Sequence, residues 1–255
     1  MRGRYLYIVE ILIAALCGAI IGSILGLVGA GGSMIAVPML IYIFNFSPVQ
    51  ATTASLLIVF LGAASGTISK LRNRDVLARE GLAIWSFGLP ANFAGAYFLP
   101  KIPDAFILTG FSLILVLAGA SMLLRQVSEK PELKMSTATL ISLSFLIGAM
   151  TGLFGIGGGF VAIPILVLFY HVSPSKAAGT SLFVITVNTL TGFFAHYRHW
   201  DEVKWSLPIT IAVVALIVSQ IAANQSKRFP ANTMKQVFAI TVFAIAGFTL
   251  LETWI

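Results

Sequence analysis

The chain has 255 residues, of which 58% are hydrophobic and only 10% charged, with a formal net charge of +7. A soluble domain carries roughly 25% charged residues, so this composition excludes an ordinary water-soluble fold and indicates an integral membrane protein. The surplus Lys and Arg lie in short gaps between apolar runs, as in multi-pass proteins. They do not form the aromatic-interleaved patch of a nucleic-acid reader.

The first apolar run, 5–28, follows Met1-Arg2-Gly3-Arg4. It is too long for the core of a signal peptide, carries Glu10 and lacks a small-x-small cleavage site, so it reads as a retained span. It also holds Cys17, the one cysteine. A lone thiol excludes an intrachain disulfide and a CxxC redox pair, and reads as a small buried apolar residue. Further runs long enough to cross a bilayer occupy 50–69, 81–99, 104–124, 136–155, 174–195, 206–223 and 234–251. A crossing takes about 20 apolar residues. Two shorter runs, 33–46 and 159–171, contain Pro38 and Pro164 and predict half-helices or re-entrant segments.

A shift of 126 residues lays Gly26-Leu27-Val28-Gly29-Ala30-Gly31-Gly32 on Gly152-Leu153-Phe154-Gly155-Ile156-Gly157-Gly158. It also lays Pro38 on Pro164, Ser47-Pro48 on Ser173-Pro174, Ser55 on Ser181, and Gly66, Arg72 and Asp75 on Gly192, Arg198 and Asp201. Sixteen of the fifty-one positions from 26 to 76 are identical without a gap. Apolar composition does not place glycines and prolines in register, so the chain reads as a duplication. The units are 1–125 and 136–255, joined by the linker 126–135. The fold expected is all-α and polytopic: about eight full spans plus two short broken helices, or ten helices as 5+5 inverted repeats. Eight spans make the repeats parallel, and ten make them inverted. The distribution of Lys and Arg fits both, and segment length favours eight.

The consecutive glycines are the candidate site. Gly29, Gly31 and Gly32, with Gly155, Gly157 and Gly158, permit positive φ and break a helix within an apolar stretch. Unwound backbone at membrane depth must be buried in protein or line a polar cavity. The half-helix that follows then presents free N–H groups and a positive dipole end, which suits an anion. Ser33, Thr52, Thr53 and Ser55 cluster beside the first turn, and Thr180, Ser181, Thr186 and Asn188 beside the second. Such neutral donors can replace water around an anion. Gly18, Gly22 and Gly26, like Gly148 and Gly152, have the spacing of helix-packing faces.

Within the spans, Glu10 and Lys176 lie near segment ends and read as snorkelling to the interface, with Glu10 also a candidate proton carrier. The run His196-Tyr197-Arg198-His199-Trp200 holds two histidines three apart and reads as an interfacial aromatic-basic belt rather than a metal site. No nucleophile elbow, zinc motif or Walker loop occurs, so neither an enzyme nor a cofactor is expected.

GLVGAGGSMIAVPMLIYIFNFSPVQATTASL and GLFGIGGGFVAIPILVLFYHVSPSKAAGTSL resemble the sulfite exporter TauE/SafE family, over essentially the whole chain. The resemblance implies a permease of the bacterial inner membrane. It implies transport of small sulfur-containing anions, sulfite or organosulfonates, coupled to an ion gradient such as that of protons. It carries a pocket role onto Gly29, Gly31, Gly32, Pro38 and Ser55, with Gly155, Gly157, Gly158, Pro164 and Ser181. The half-sites differ where Gly159 replaces Ser33 and Gly179 replaces Thr53. The bilayer, the anion and a coupling ion are the expected partners, and a homodimer is left open. A facilitative anion channel and a non-transporting scaffold subunit are the alternatives, the scaffold alone tolerating Gly31→Leu with Gly157→Leu.

Overall fold

The computed structural model describes residues 2–124, 136–155, 157–168, 170–225 and 231–254. The linker 126–135 lies outside them. Among the described residues the first half forms α1 (Arg2–Val28), α2 (Gly31–Tyr42), α3 (Pro48–Arg72), α4 (Ala78–Phe98) and α5 (Asp104–Leu124). The second half forms α6 (Thr137–Phe154), α7 (Gly159–Leu168), α8 (Pro174–Ala195), α9 (Ser206–Gln225) and α10 (Ala231–Trp254). Short 3-10 turns, Leu99–Lys101 and Tyr197–Glu202, follow α4 and α8.

Local chemistry sets these limits. Before α3, the Ser47 hydroxyl accepts from the Gln50 amide at 3.3 Å and the Gln50 side chain accepts from the Ser47 amide at 3.1 Å. Pro48 adds a residue preset for the first helical position. α2 and α7 stop where Asn45 and His171 turn left-handed, with φ of 56° and 55°. The next amides, of Phe46 and Val172, then bond back to the Leu40 and Leu166 carbonyls at 3.1 and 3.0 Å. These residues are themselves 126 positions apart, so the register extends to the backbone bonds.

Six helices are long and apolar enough to cross a membrane: α1, α3, α4, α6, α8 and α9. α5 and α10 carry shorter apolar stretches, Asp104–Leu117 and Ala239–Trp254. With 12 and 10 residues, α2 and α7 reach only about 18 and 15 Å, against a hydrocarbon core of about 30 Å. On α9, Ile209, Val213, Ile217 and Ile221 are all about half exposed. Spaced by four, they make one outward apolar stripe, a face suited to lipid. The protein is an integral, multi-pass membrane protein.

Each half's first helix packs on the other half's fourth: α1 on α9, and α6 on α4. Glycines make this closeness possible. A Cβ on Gly22 would stand 3.0 Å from the Ala215 Cα, and one on Gly95 3.0 Å from the Ala149 carbonyl oxygen and the Leu153 nitrogen. Contacts also fix helix direction. Gly18 meets Ile211 and Val214, while Gly26 meets Ser219 and Ala222, so α1 and α9 run parallel. Between α3 and α8 the order reverses. Thr53 meets His196, Gly192 meets Leu56, and Thr67 meets Thr186. α3 and α8 are equivalent in the register yet antiparallel. The eight-span alternative, favoured by segment length, requires equivalent helices to be parallel. The ten-helix alternative requires the observed reversal. The glycine turns fold α2 and α7 back on the helices before them, with Gly32 against Ile21 and Leu25 and Gly158 against Ile147.

Candidate functional site

The two glycine turns are held by each other's half. Gly29, with φ of 87°, presses on Ala178 of α8, and its carbonyl accepts from the Ser181 hydroxyl at 2.9 Å. Gly155, with φ of 68°, presses on Thr52 of α3, and its carbonyl accepts from the Ser55 hydroxyl at 3.1 Å. Both serines are fully buried. Ser55 and Ser181 thus fasten the turns, and each also reaches a second carbonyl, Thr52 at 2.8 Å and Gly159 at 2.8 Å. A cross-helix hydrogen bond in a membrane protein is worth about 0.6 kcal/mol and rarely more than about 2. Ser55→Ala with Ser181→Ala is therefore expected to cost about 1–4 kcal/mol, read as a fall of several degrees in thermal unfolding midpoint in detergent.

The other candidates take three positions. Gly31 opens α2, and Pro38 lies within it. Gly32 packs against Ile21 and Leu25 of α1. Ser33 and Pro164 lie in α2 and α7, with side chains outside the described residues. Gly157 and Gly158, with φ of 68° and 62°, lie against Ile185 of α8 and Ile147 of α6. The Thr180 hydroxyl accepts from the Leu77 amide at 2.9 Å, tying α8 to the start of α4. The Thr53 hydroxyl lies 2.8 Å from the Val49 carbonyl and 3.2 Å from His196 Nδ1, and its one hydrogen can serve either.

The two turns share Ser181, whose hydroxyl reaches both the Gly29 and the Gly159 carbonyl, but Gly29 and Gly155 themselves lie at different depths. Antiparallel packing puts Ser181 level with the stretch of α3 near Gly66, whose neighbour is Leu182. Ser55 lies eleven residues below, about 16 Å along the axis. Asn188 falls between the two levels. It is fully buried, and neither its amide nitrogen nor its side-chain oxygen has a hydrogen-bond partner among the described residues. Its backbone carbonyl accepts from Asn92 Nδ2 of α4 at 3.1 Å, and Asn92 also reaches Thr191 at 3.3 Å. The Asn92 Oδ1 is itself buried and unpartnered. An orphaned amide in a low-dielectric interior costs about 1–3 kcal/mol, so such a pair calls for a polar occupant. At the N-terminus of α2, no side chain caps the first amides, since Ala30 occupies the cap position. Of these orphaned atoms the Asn188 amide nitrogen donates, while the Asn92 and Asn188 side-chain oxygens accept. Among the described residues no three His, Cys, Asp or Glu gather to hold a metal ion.

The buried polar residues outside the glycine motifs include Asn92, Lys70 and His196. Asn92 stands in the looser part of the repeat, where the register gives no signal. Lys70, only 2% exposed, lies at the end of α3, one residue past the apolar run 50–69. His196, read above as interfacial, is 1% exposed. His199 does match that reading, at the surface in an ion pair with Glu202 at 2.8 Å. Glu10 is exposed on α1, and Cys17 is buried and free.

Comparison with known proteins is consistent across the chain. The family model "Sulfite exporter TauE/SafE" matches residues 14–249. The "Probable membrane transporter protein YunE" of Bacillus subtilis is 23% identical, over 91% of this chain and 94% of its own length. A "Probable membrane transporter protein" of Xylella fastidiosa is 27% identical, over 93% and 94%. A third, MJ0441 of Methanocaldococcus jannaschii, is 33% identical over 42% of each chain. These are transporters rather than enzymes. With almost the full length matched, the chain belongs to the sulfite exporter TauE/SafE family of membrane transporters.

Proposed function

We propose that this protein is a secondary carrier of small sulfur-containing anions, sulfite or organosulfonates, across the bacterial inner membrane, with a proton as the coupling ion. The observation that carries the reading is the orphaned Asn188 amide, fully buried midway between two glycine-broken helices. Backbone N–H groups at the start of a half-helix, joined by a neutral amide donor, bind an anion without a formal countercharge. That leaves the occupant free to exit. A fixed ammonium or guanidinium at the same place would hold an anion too strongly to release it. The sulfur preference rests on the family, which is named for sulfite export. The antiparallel course of the equivalent helices α3 and α8 supports an alternating-access reading.

Reconstitution in liposomes tests this reading. Labelled sulfite, sulfoacetate and taurine are offered with and without a pH gradient. Saturable flux of a sulfur anion, raised by the gradient, is the expected outcome. Absence of flux for every anion under both conditions rejects it.

A further inference from the structure

The register places His196 on Lys70, so both halves carry a buried basic residue at one equivalent position. Their neighbours also correspond. Lys70 packs against Gly179, with its Cβ 3.2 Å from where a glycine Cβ would stand. His196 packs against Thr53, which is the residue equivalent to Gly179. Because α3 and α8 are antiparallel, the two basic residues lie at opposite ends of the central helix pair. One half has a lysine facing a glycine. The other has a titratable ring facing a hydroxyl.

The ring of His196 joins three helices. Its Nε2 lies 3.0 Å from the Gly152 carbonyl of α6 and its Nδ1 3.2 Å from the Thr53 hydroxyl of α3. A carbonyl only accepts, so Nε2 carries a hydrogen and the neutral ring leaves Nδ1 as an acceptor. The Thr53 hydroxyl can then donate to Nδ1. When a proton binds Nδ1, the direction of that bond reverses, and the Thr53 hydroxyl donates to the Val49 carbonyl, already 2.8 Å away. The imidazolium is then bonded at both nitrogens and no hydroxyl is left without an acceptor. Gly152 lies three residues before the Gly155 turn, and Thr53 two before Ser55, which holds that turn.

We propose that His196 is the proton-binding site that couples anion movement to pH, the proton exchanging the Thr53 hydroxyl bond from Nδ1 to the Val49 carbonyl. This rests on the carrier reading above. Titratable and charged neighbours are few. His199 lies on the 3-10 turn with ring centres 6.3 Å apart, and its partner there is Glu202. Arg198 of that turn bonds to the Tyr197 hydroxyl, and Lys101, after α4, lies over Tyr97. α6 carries no ionisable side chain, and α3 carries none between Pro48 and Ser69. The ring lies just past the span that ends at Ala195. Burial pushes it down to about 4, against the bond to Gly152, so it is neutral at rest. A buried imidazolium is costly without an anion, so proton and anion load together. Asn188 lies eight residues away along α8, about 12 Å. At that distance a unit charge changes affinity for a monovalent anion by about tenfold.

The test uses sulfoacetate, whose charge does not change near neutral pH, and reads its uptake into proteoliposomes at about pH 6 and about pH 8. The wild type is expected to run several-fold faster at the lower pH, and His196→Gln to lose that ratio. A variant that keeps the wild-type ratio overturns the proposal. Absence of sulfoacetate uptake by the wild type counts against the carrier reading rather than this site. The site is then judged by NMR titration of the three histidine rings in detergent. His196 is expected to protonate well below the ordinary range of an imidazole, and lower still in Thr53→Val. A His196 ring that titrates in the ordinary imidazole range, or is unmoved by Thr53→Val, overturns the proposal.

Discussion

Gly155→Leu is expected to abolish transport and to lower stability by about 3–5 kcal/mol, the largest structural effect of any single substitution considered. Its φ of 68° lies in the left-handed region, which costs a side-chain-bearing residue about 1–2 kcal/mol. A Cβ there would also stand 2.7 Å from the Thr52 carbonyl oxygen and 3.1 Å from its Cα. Backbone cannot move aside as a side-chain tip can, and overpacking adds about 1–3 kcal/mol. The Ser55 hydroxyl, which secures the turn, lies against the same atom. Gly29→Leu meets the Ala178 backbone in the other half and should behave alike. Gly247→Ala is the control, because a Cβ there meets nothing within 4 Å. Thermal unfolding in detergent and flux in liposomes read both outcomes. A stable, active Gly155→Leu would show that the turn is not a fixed element of the carrier.

Asn188→Leu is expected to separate function from stability. Its amide has no partner among the described residues, so replacing it with an apolar side chain of similar size removes a desolvation cost. Stability should hold or rise. Anion affinity should fall, because a hydrogen bond to a charged group is worth about 1.5–3 kcal/mol, or about ten- to hundredfold in affinity. A variant that loses both together would make Asn188 a structural residue. A variant that transports normally would remove it from the site.

Much of the fold was legible because glycine and proline punctuate it. The ends of α2, α3, α7 and α8 follow from Gly29, Ser47-Pro48, Gly155 and Ser173-Pro174, and the register repeats them. Direction was not legible. Lys and Arg in the gaps fit either topology, and only contacts such as Thr53 with His196 show that α3 and α8 oppose one another. The glycine turns were found by their run of residues, but their placement at two depths depends on that antiparallel packing. His196 was obscured by its neighbours, since Tyr197, Arg198, His199 and Trp200 are typical of an interface. One signal was present: the register that equates Gly66 with Gly192 also equates Lys70 with His196. Two basic residues at one repeat position, each close to the end of a span, mark it out. Asn92 had no such signal, because the second part of each unit keeps character rather than identity.

Counterflow of labelled sulfite tests the central claim most directly. Proteoliposomes preloaded with unlabelled sulfite are given a trace of labelled sulfite outside, at equal pH. A carrier that alternates around one anion site predicts transient accumulation of label above equilibrium, competed by sulfoacetate and reduced at least tenfold in Asn188→Leu. Label that only equilibrates, or that never enters, would contradict it.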